Sequence, residues 1–111
     1  MPGDLTARDF SDVRENMTNE QMLAVAAKYE QELISYPAEL QELNSPPGGR
    51  ESALRQARWM CQQIPSQIAS GNTGKAMRWI GFIQGTLWAS GAKSVDTMRK
   101  DNMAEVAPIM A

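Results

Sequence analysis

Between Arg78 and Lys93 the chain carries no charged residue. The run Trp79-Ile80-Gly81-Phe82-Ile83-Gln84-Gly85-Thr86-Leu87-Trp88-Ala89-Ser90 puts apolar groups on nearly every side of any helix it forms. No other stretch constrains the fold as much, because a helix of this kind must be covered on all sides. The spacing predicts a long, central packing helix from about Lys75 to Ser90, stopped at Gly91. Met77, Ile80, Ile83 and Leu87 lie close on one side of it, and Trp79, Phe82 and Trp88 add bulk elsewhere. Gly81, Gly85 and Ala89, spaced by four, make a narrow seam. A glycine inside a helix costs about 1 kcal/mol relative to alanine, so two at this spacing imply a packing reason. The seam, with Trp88 beside it, is a candidate for close approach of another helix, within the chain or between subunits. A small-molecule groove is the remaining use.

Two other readings of this region fail. Ser70-Gly71-Asn72-Thr73-Gly74-Lys75 begins like a phosphate-binding loop, but that motif needs glycine where Ala69 stands and a hydroxyl where Ala76 stands. A membrane span needs about 20 apolar residues. Here Lys75 and Arg78 sit at one end, Gln84 interrupts the middle, and the run stops at Ser90.

The rest of the chain supplies further helices. Residues 1–17 read as a loose arm. Thr18-Asn19-Glu20-Gln21 fits a capping box, with a hydroxyl at the N-cap and a glutamine three residues on. Met22, Val25, Ala26, Tyr29, Leu33 and Tyr36 then form one apolar stripe, opposite Glu20, Lys28, Glu30, Gln31 and Glu32. Pro37 disfavours helix at Tyr36 and can start a short helix, PAELQEL. NSPPGG, residues 44–49, is the strongest break. Leu54, Ala57, Met60, Cys61 and Ile64 predict a helix over 50–64, which Pro65 either kinks or ends. Ser94 can cap a short last helix through about Asp101, with Arg99 and Lys100 near its C-terminus. Residues 104–111 read as a frayed tail. No stretch alternates with period two. The expected fold is all-α, three main helices plus short ones, in one helical domain over 18–103.

Charge is uneven. Residues 1–49 hold three basic side chains against nine acidic ones, and residues 50–111 hold eight against four. The two halves can attract each other within a chain or between chains, or can simply be solvated faces of opposite sign. The net charge of −2 offers no strong attraction to long nucleic acid. One cysteine, Cys61, excludes an internal disulfide framework and fits a reducing compartment. The absence of histidine removes imidazole catalysis and imidazole metal sites. Cys61 falls on an apolar stripe without a group to activate it, which reads as a buried thiol. Neither metal nor cofactor is expected, and the polar, acidic N-terminus is not a secretory signal.

GKAMRWIGFIQGTLWASG followed by SVDTMRKDN resembles a family of small helical accessory proteins encoded by tailed phages and prophages. The resemblance covers residues 50–103. It carries no catalytic residues over and implies a non-enzymatic viral accessory protein that acts by binding a host component in the bacterial cytoplasm.

Three functions follow as expectations. The first is a binding protein that blocks or redirects a host protein, in a host-takeover or anti-defence role. The second is a sponge for a phosphate-bearing signalling nucleotide. Arg58-Trp59 and Arg78-Trp79 recur on successive helices, and with Lys75 they would offer guanidinium groups to phosphates and rings to bases; the favoured alternative is that the tryptophans belong to the core and the arginines are solvated or paired with the acidic first half. The third is a structural or assembly accessory. A chain of 111 residues buries a modest core. Two partner helices leave part of the 75–90 helix uncovered, so a homo-oligomer, with a dimer favoured, is also expected.

Overall fold

A computed structural model describes residues 17–39 and 48–103. The loose arm up to residue 16, most of the PAELQEL segment and of the NSPPGG break, and the 104–111 tail lie outside the described residues. Among the described residues the fold is all-α, with α1 Asn19–Glu32, α2 Arg50–Ala69, α3 Thr73–Ala89 and the short α4 Val95–Asn102. No helix is long and apolar enough to cross a membrane among these residues.

α1 starts where its capping box directs. The Thr18 hydroxyl accepts from Gln21 N–H at 3.0 Å, and the Gln21 side chain accepts from Thr18 N–H at 2.9 Å. Both groups would otherwise be orphaned donors at the helix start. Met22, Val25, Ala26 and Tyr29 are buried along one stripe, with Leu33 buried just past the end. Ser94 caps α4 in the same way, its hydroxyl accepting from Thr97 N–H at 3.1 Å.

α2 and α3 end on one repeated device. Ala69-Ser70-Gly71 and Ala89-Ser90-Gly91 both place glycine at positive φ, 86° and 81°. After α2, Gly71 N–H donates to Ile68 O and Asn72 N–H to Gln67 O; after α3, Gly91 N–H donates to Trp88 O and Ala92 N–H to Leu87 O. This paired closure satisfies the last carbonyls, and left-handed backbone at its centre favours glycine.

The boundaries differ from the sequence reading in two places. α1 stops at Glu32, short of Leu33 and Tyr36 in its predicted stripe, and α2 runs through Pro65 to Ala69. The proline loses one backbone hydrogen bond, but its ring is on the exposed side. Ile64 and Gln67 on the buried side hold the last turn to the core. Packing outweighs the local preference.

The central helix is α2, not α3. α2 packs along both α1 and α3, which touch each other much less, and α4 rests on α1. The core fills the wedge between the three long helices with Met22, Val25, Tyr29, Leu54, Ala57, Cys61, Ile64, Ala76, Ile80, Ile83 and Leu87. α3 therefore buries one side only, and its far side is open. Ile80 is fully buried whereas Phe82, two residues on, is 63% exposed. In urea unfolding at low micromolar protein, Ile80→Ala is expected to cost about 3 kcal/mol through lost burial and a cavity, and Phe82→Ala less than about 1 kcal/mol.

Candidate functional site

A knot of polar side chains sits inside the bundle. Tyr29 on α1 donates its hydroxyl hydrogen to Asp101 Oδ2 on α4 at 2.9 Å and accepts from Gln84 Nε2 on α3 at 3.2 Å. Gln84 and Asn102 pair amide to amide, Gln84 Nε2 to Asn102 Oδ1 at 2.7 Å and Asn102 Nδ2 to Gln84 Oε1 at 3.3 Å. Lys28 reaches Asp101 Oδ1 at 2.8 Å and Lys93 reaches Asp101 Oδ2 at 3.0 Å. Lys93 also bonds Glu32 at 2.9 Å and stands 4.9 Å from the centre of the Tyr29 ring. Gln84, the polar interruption in the apolar run, thus has its partners despite being 1% exposed. Unpaired, such a buried group would cost about 1–3 kcal/mol.

The electrostatics follow from the geometry. Burial would raise the Asp101 carboxyl, but hydrogen bonds from Lys28, Lys93 and Tyr29 outweigh it and hold the group below its ordinary 3.8. Burial pulls Lys93 down, and hydrogen bonds to Glu32 and Asp101 reverse this, leaving it above its ordinary 10.5. Tyr29 is raised well above its ordinary value, chiefly by burial, with Asp101 adding to the shift and Gln84 opposing it. A phenol held neutral and a carboxylate held ionised in this way are matched to each other. Neither is tuned toward proton transfer near neutral pH.

Beside the knot lies a cleft of about 320 Å³ between the end of α1, the start of α2 and the Gly91 turn, with Leu33, Leu54 and Leu87 on its apolar wall. Its charged groups are engaged within the protein. Arg50 donates to Ser90 O at 2.9 Å and to the Tyr36 hydroxyl at 3.3 Å, which fastens the end of α3 to the start of α2. Lys93 is held as described.

The expected arginine–tryptophan pocket is only half assembled. Trp59 and Trp79 meet with ring centres 5.7 Å apart, and the Lys75 ammonium lies 5.3 Å from the Trp79 ring centre. Arg58 turns the other way. Its Nε bonds Glu30 at 2.9 Å, and a terminal nitrogen donates to Tyr36 O at 2.7 Å and Ile34 O at 3.2 Å. Arg78 is exposed on α3, on the face opposite Ala76, Ile80, Ile83 and Leu87. A residue directly before a tryptophan in a helix points about 100° away from it. The two Arg-Trp dipeptides therefore bring their rings together and send their guanidinium groups apart.

The seam is not used to pack helices within the described part of the chain: a methyl group added at Gly85 would meet nothing within 4 Å, so no helix among the described residues presses there. Gly81 and Gly85 are half-buried and Ala89 is exposed. Phe82 and Trp88 flank them, 63% and 60% exposed. On the outer face of α3, Gly85 is thus open, with small residues on either side of it along the helix and two solvent-facing aromatics flanking it.

Cys61 is buried, and burial first, then the charge of Glu30, push its thiol up to about 12 against a hydrogen bond to its own backbone. It is no nucleophile near neutral pH. Among the described residues no group of three or more Cys, Asp, Glu or His side chains is placed to hold a metal ion. Comparison with protein-family models, curated proteins and solved structures finds no match.

Sequence reasoning missed the knot. Its one visible signal was Gln84 inside an apolar run. Lys93 and Asp101 lie in polar surroundings in the sequence, where nothing marks them as internal. Asp101→Asn is expected to lower stability at pH 7 by about 1–3 kcal/mol, since it removes the buried carboxylate that Lys28 and Lys93 share and leaves Lys93 with Glu32 alone. Because the folded-state value of Asp101 is depressed, its contribution is present above about pH 4 and lost as the pH falls below that. Tyr29 and Lys93 are shifted up, so theirs holds below about pH 10 and fades above it. Urea midpoints across pH should fall on both sides, and Asp101→Asn should flatten the acid side. Separately, iodoacetamide at about pH 8 should label Cys61 only in unfolded protein.

Proposed function

We propose that this is a non-enzymatic protein-binding domain that acts by covering the surface of a host component, which it inhibits or redirects. The observation that carries the reading is the outer face of α3. Phe82 and Trp88 stand in water there, on either side of an open strip at Gly85, on a helix without charge from Trp79 to Ala92. Paired aromatics on one uncharged face mark a contact surface for a macromolecule. The interior supports the same reading, because its ionisable groups are spent on holding helices together and its thiol is inert. The resemblance of residues 50–103 to a family of tailed-phage accessory proteins supports a host component in the bacterial cytoplasm as the target. The wide separation of Arg58 from Arg78 speaks against the nucleotide sponge.

A tagged protein incubated with bacterial lysate should retain a protein in fixed ratio, and the Phe82→Ala, Trp88→Ala double variant should retain much less while keeping its helical circular dichroism. A bound fraction holding a cyclic oligonucleotide and no protein would overturn the reading.

A further inference from the structure

The pattern of the α3 face shows what fits it. Count outward from Gly85. Phe82 and Ala89, seven residues apart, share one flank of the strip; Trp88 and Gly81, also seven apart, share the other. Each flank therefore carries one large and one small residue, at nearly equal distances from Gly85 and on opposite sides of it. A twofold axis through Gly85, with two α3 helices antiparallel, carries each large residue onto a small one. Phe82 of one copy lands on Ala89 of the other, Trp88 lands on Gly81, and Gly85 faces Gly85. Few helix faces are complementary to themselves in this way, and an isologous contact demands it.

We infer that the outer face of α3 binds a second copy of this chain, antiparallel, with the twofold at Gly85. This rests on the reading of that face as a protein-docking surface and names its partner.

Charge agrees with the arrangement. Arg78, exposed near the start of α3, comes within about 5 Å along the axis of the C-terminal end of the partner's α3, the negative end of the helix dipole. The two Arg78 side chains are kept apart, since fourteen helical steps separate them, about 20 Å. The uncharged middle leaves no ion to desolvate. The Gly85 backbone, with open space in place of a side chain, allows the helix axes to approach closely, and that brings the aromatics down onto the small residues.

Area sets the strength. With Phe82 63% and Trp88 60% exposed, the two rings leave roughly 250 Å² uncovered per copy. A stable interface needs about 800 Å² per partner. Arg78, Ala89 and the strip itself add to the rings, which puts the contact at the small end. The dimer is therefore reversible and concentration-dependent. A contact this small lets a host component that docks on the same face displace the second copy.

The test is sedimentation of the purified full chain over a dilution series, with circular dichroism and melting on the same samples. Wild type should be dimeric at high micromolar concentration and dissociate on dilution. Gly85→Leu should remain helical, melt no lower than wild type when dilute, and weaken association at least tenfold. Trp88→Ala provides the same reading if the leucine variant fails to fold. Gly85→Cys should form an intermolecular disulfide on mild oxidation, with Cys61 silent. A wild type monomeric at high micromolar concentration overturns the inference, and so does a dimer that persists in both Gly85→Leu and Trp88→Ala. Neither result touches the docking reading, which fails separately if the lysate experiment returns no protein lost with Phe82 and Trp88.

Discussion

Asp101 is ionised inside the bundle, and the rest of the small C-terminal architecture depends on what reaches it. A short helix such as α4 has little hold of its own, since eight residues cannot repay the cost of nucleation. Met98 supplies some apolar burial. The remainder comes from Lys28, Lys93 and Tyr29 converging on one carboxylate, and from the amide pair of Gln84 and Asn102. Tyr29, Gln84, Asp101 and Asn102 are buried and partner one another, so removing any one of them leaves a donor or acceptor without water. This is a stricter constraint than the core beside it, where a methyl group can be lost at graded cost. It also fixes register. Gln84 can meet both Tyr29 and Asn102 only when α3 sits at one height against α1.

The opposite charges of the two halves are used within the chain. Glu30 pairs with Arg58, Glu32 with Lys93 and Glu39 with Arg55, each joining the acidic first part to the basic second. Such pairs on partly exposed surfaces contribute little to stability individually. Their effect is on arrangement: Arg58 also binds the carbonyls of Ile34 and Tyr36, which ties down the chain after α1 where Pro37 ends any helix. Charges paired in this way among the described residues are not free to draw acidic faces onto basic ones between molecules.

Local chemistry was legible in the sequence, and long-range pairing was not. The Thr18 capping box, the Ser94 cap, the Gly91 stop and the apolar stripe of α1 follow from neighbours within one turn, and all are found where their residues predict. Pro65 was ambiguous because its local penalty competes with burial of Ile64 and Gln67, which depends on the whole fold. The order of packing was misjudged for a related reason. The most apolar helix reads from the sequence as the most central, but centrality depends on how many helices pack on it, and α2 packs along both α1 and α3 while those two touch each other much less. The Arg-Trp repeats were read as a unit because they adjoin in sequence. On a helix, adjacency in sequence is divergence in space, so Trp59 and Trp79 met and Arg58 and Arg78 did not.

α3 itself carries two features that make poor sense for the isolated chain. Glycine at 85 weakens a helix by about 1 kcal/mol relative to alanine, although a methyl group would fit there without touching anything. Phe82 and Trp88 expose most of their surface to water, although polar residues at those positions would leave the core intact. A single exposed apolar residue needs no explanation. Here both features fall on one face, with the open position between the aromatics. Filling Gly85 would favour the folded monomer and would also hold any approaching helix at a distance, so the same missing side chain that weakens α3 alone is what lets a partner come close. A partner helix on this face, as proposed, would account for the stability forgone at this position.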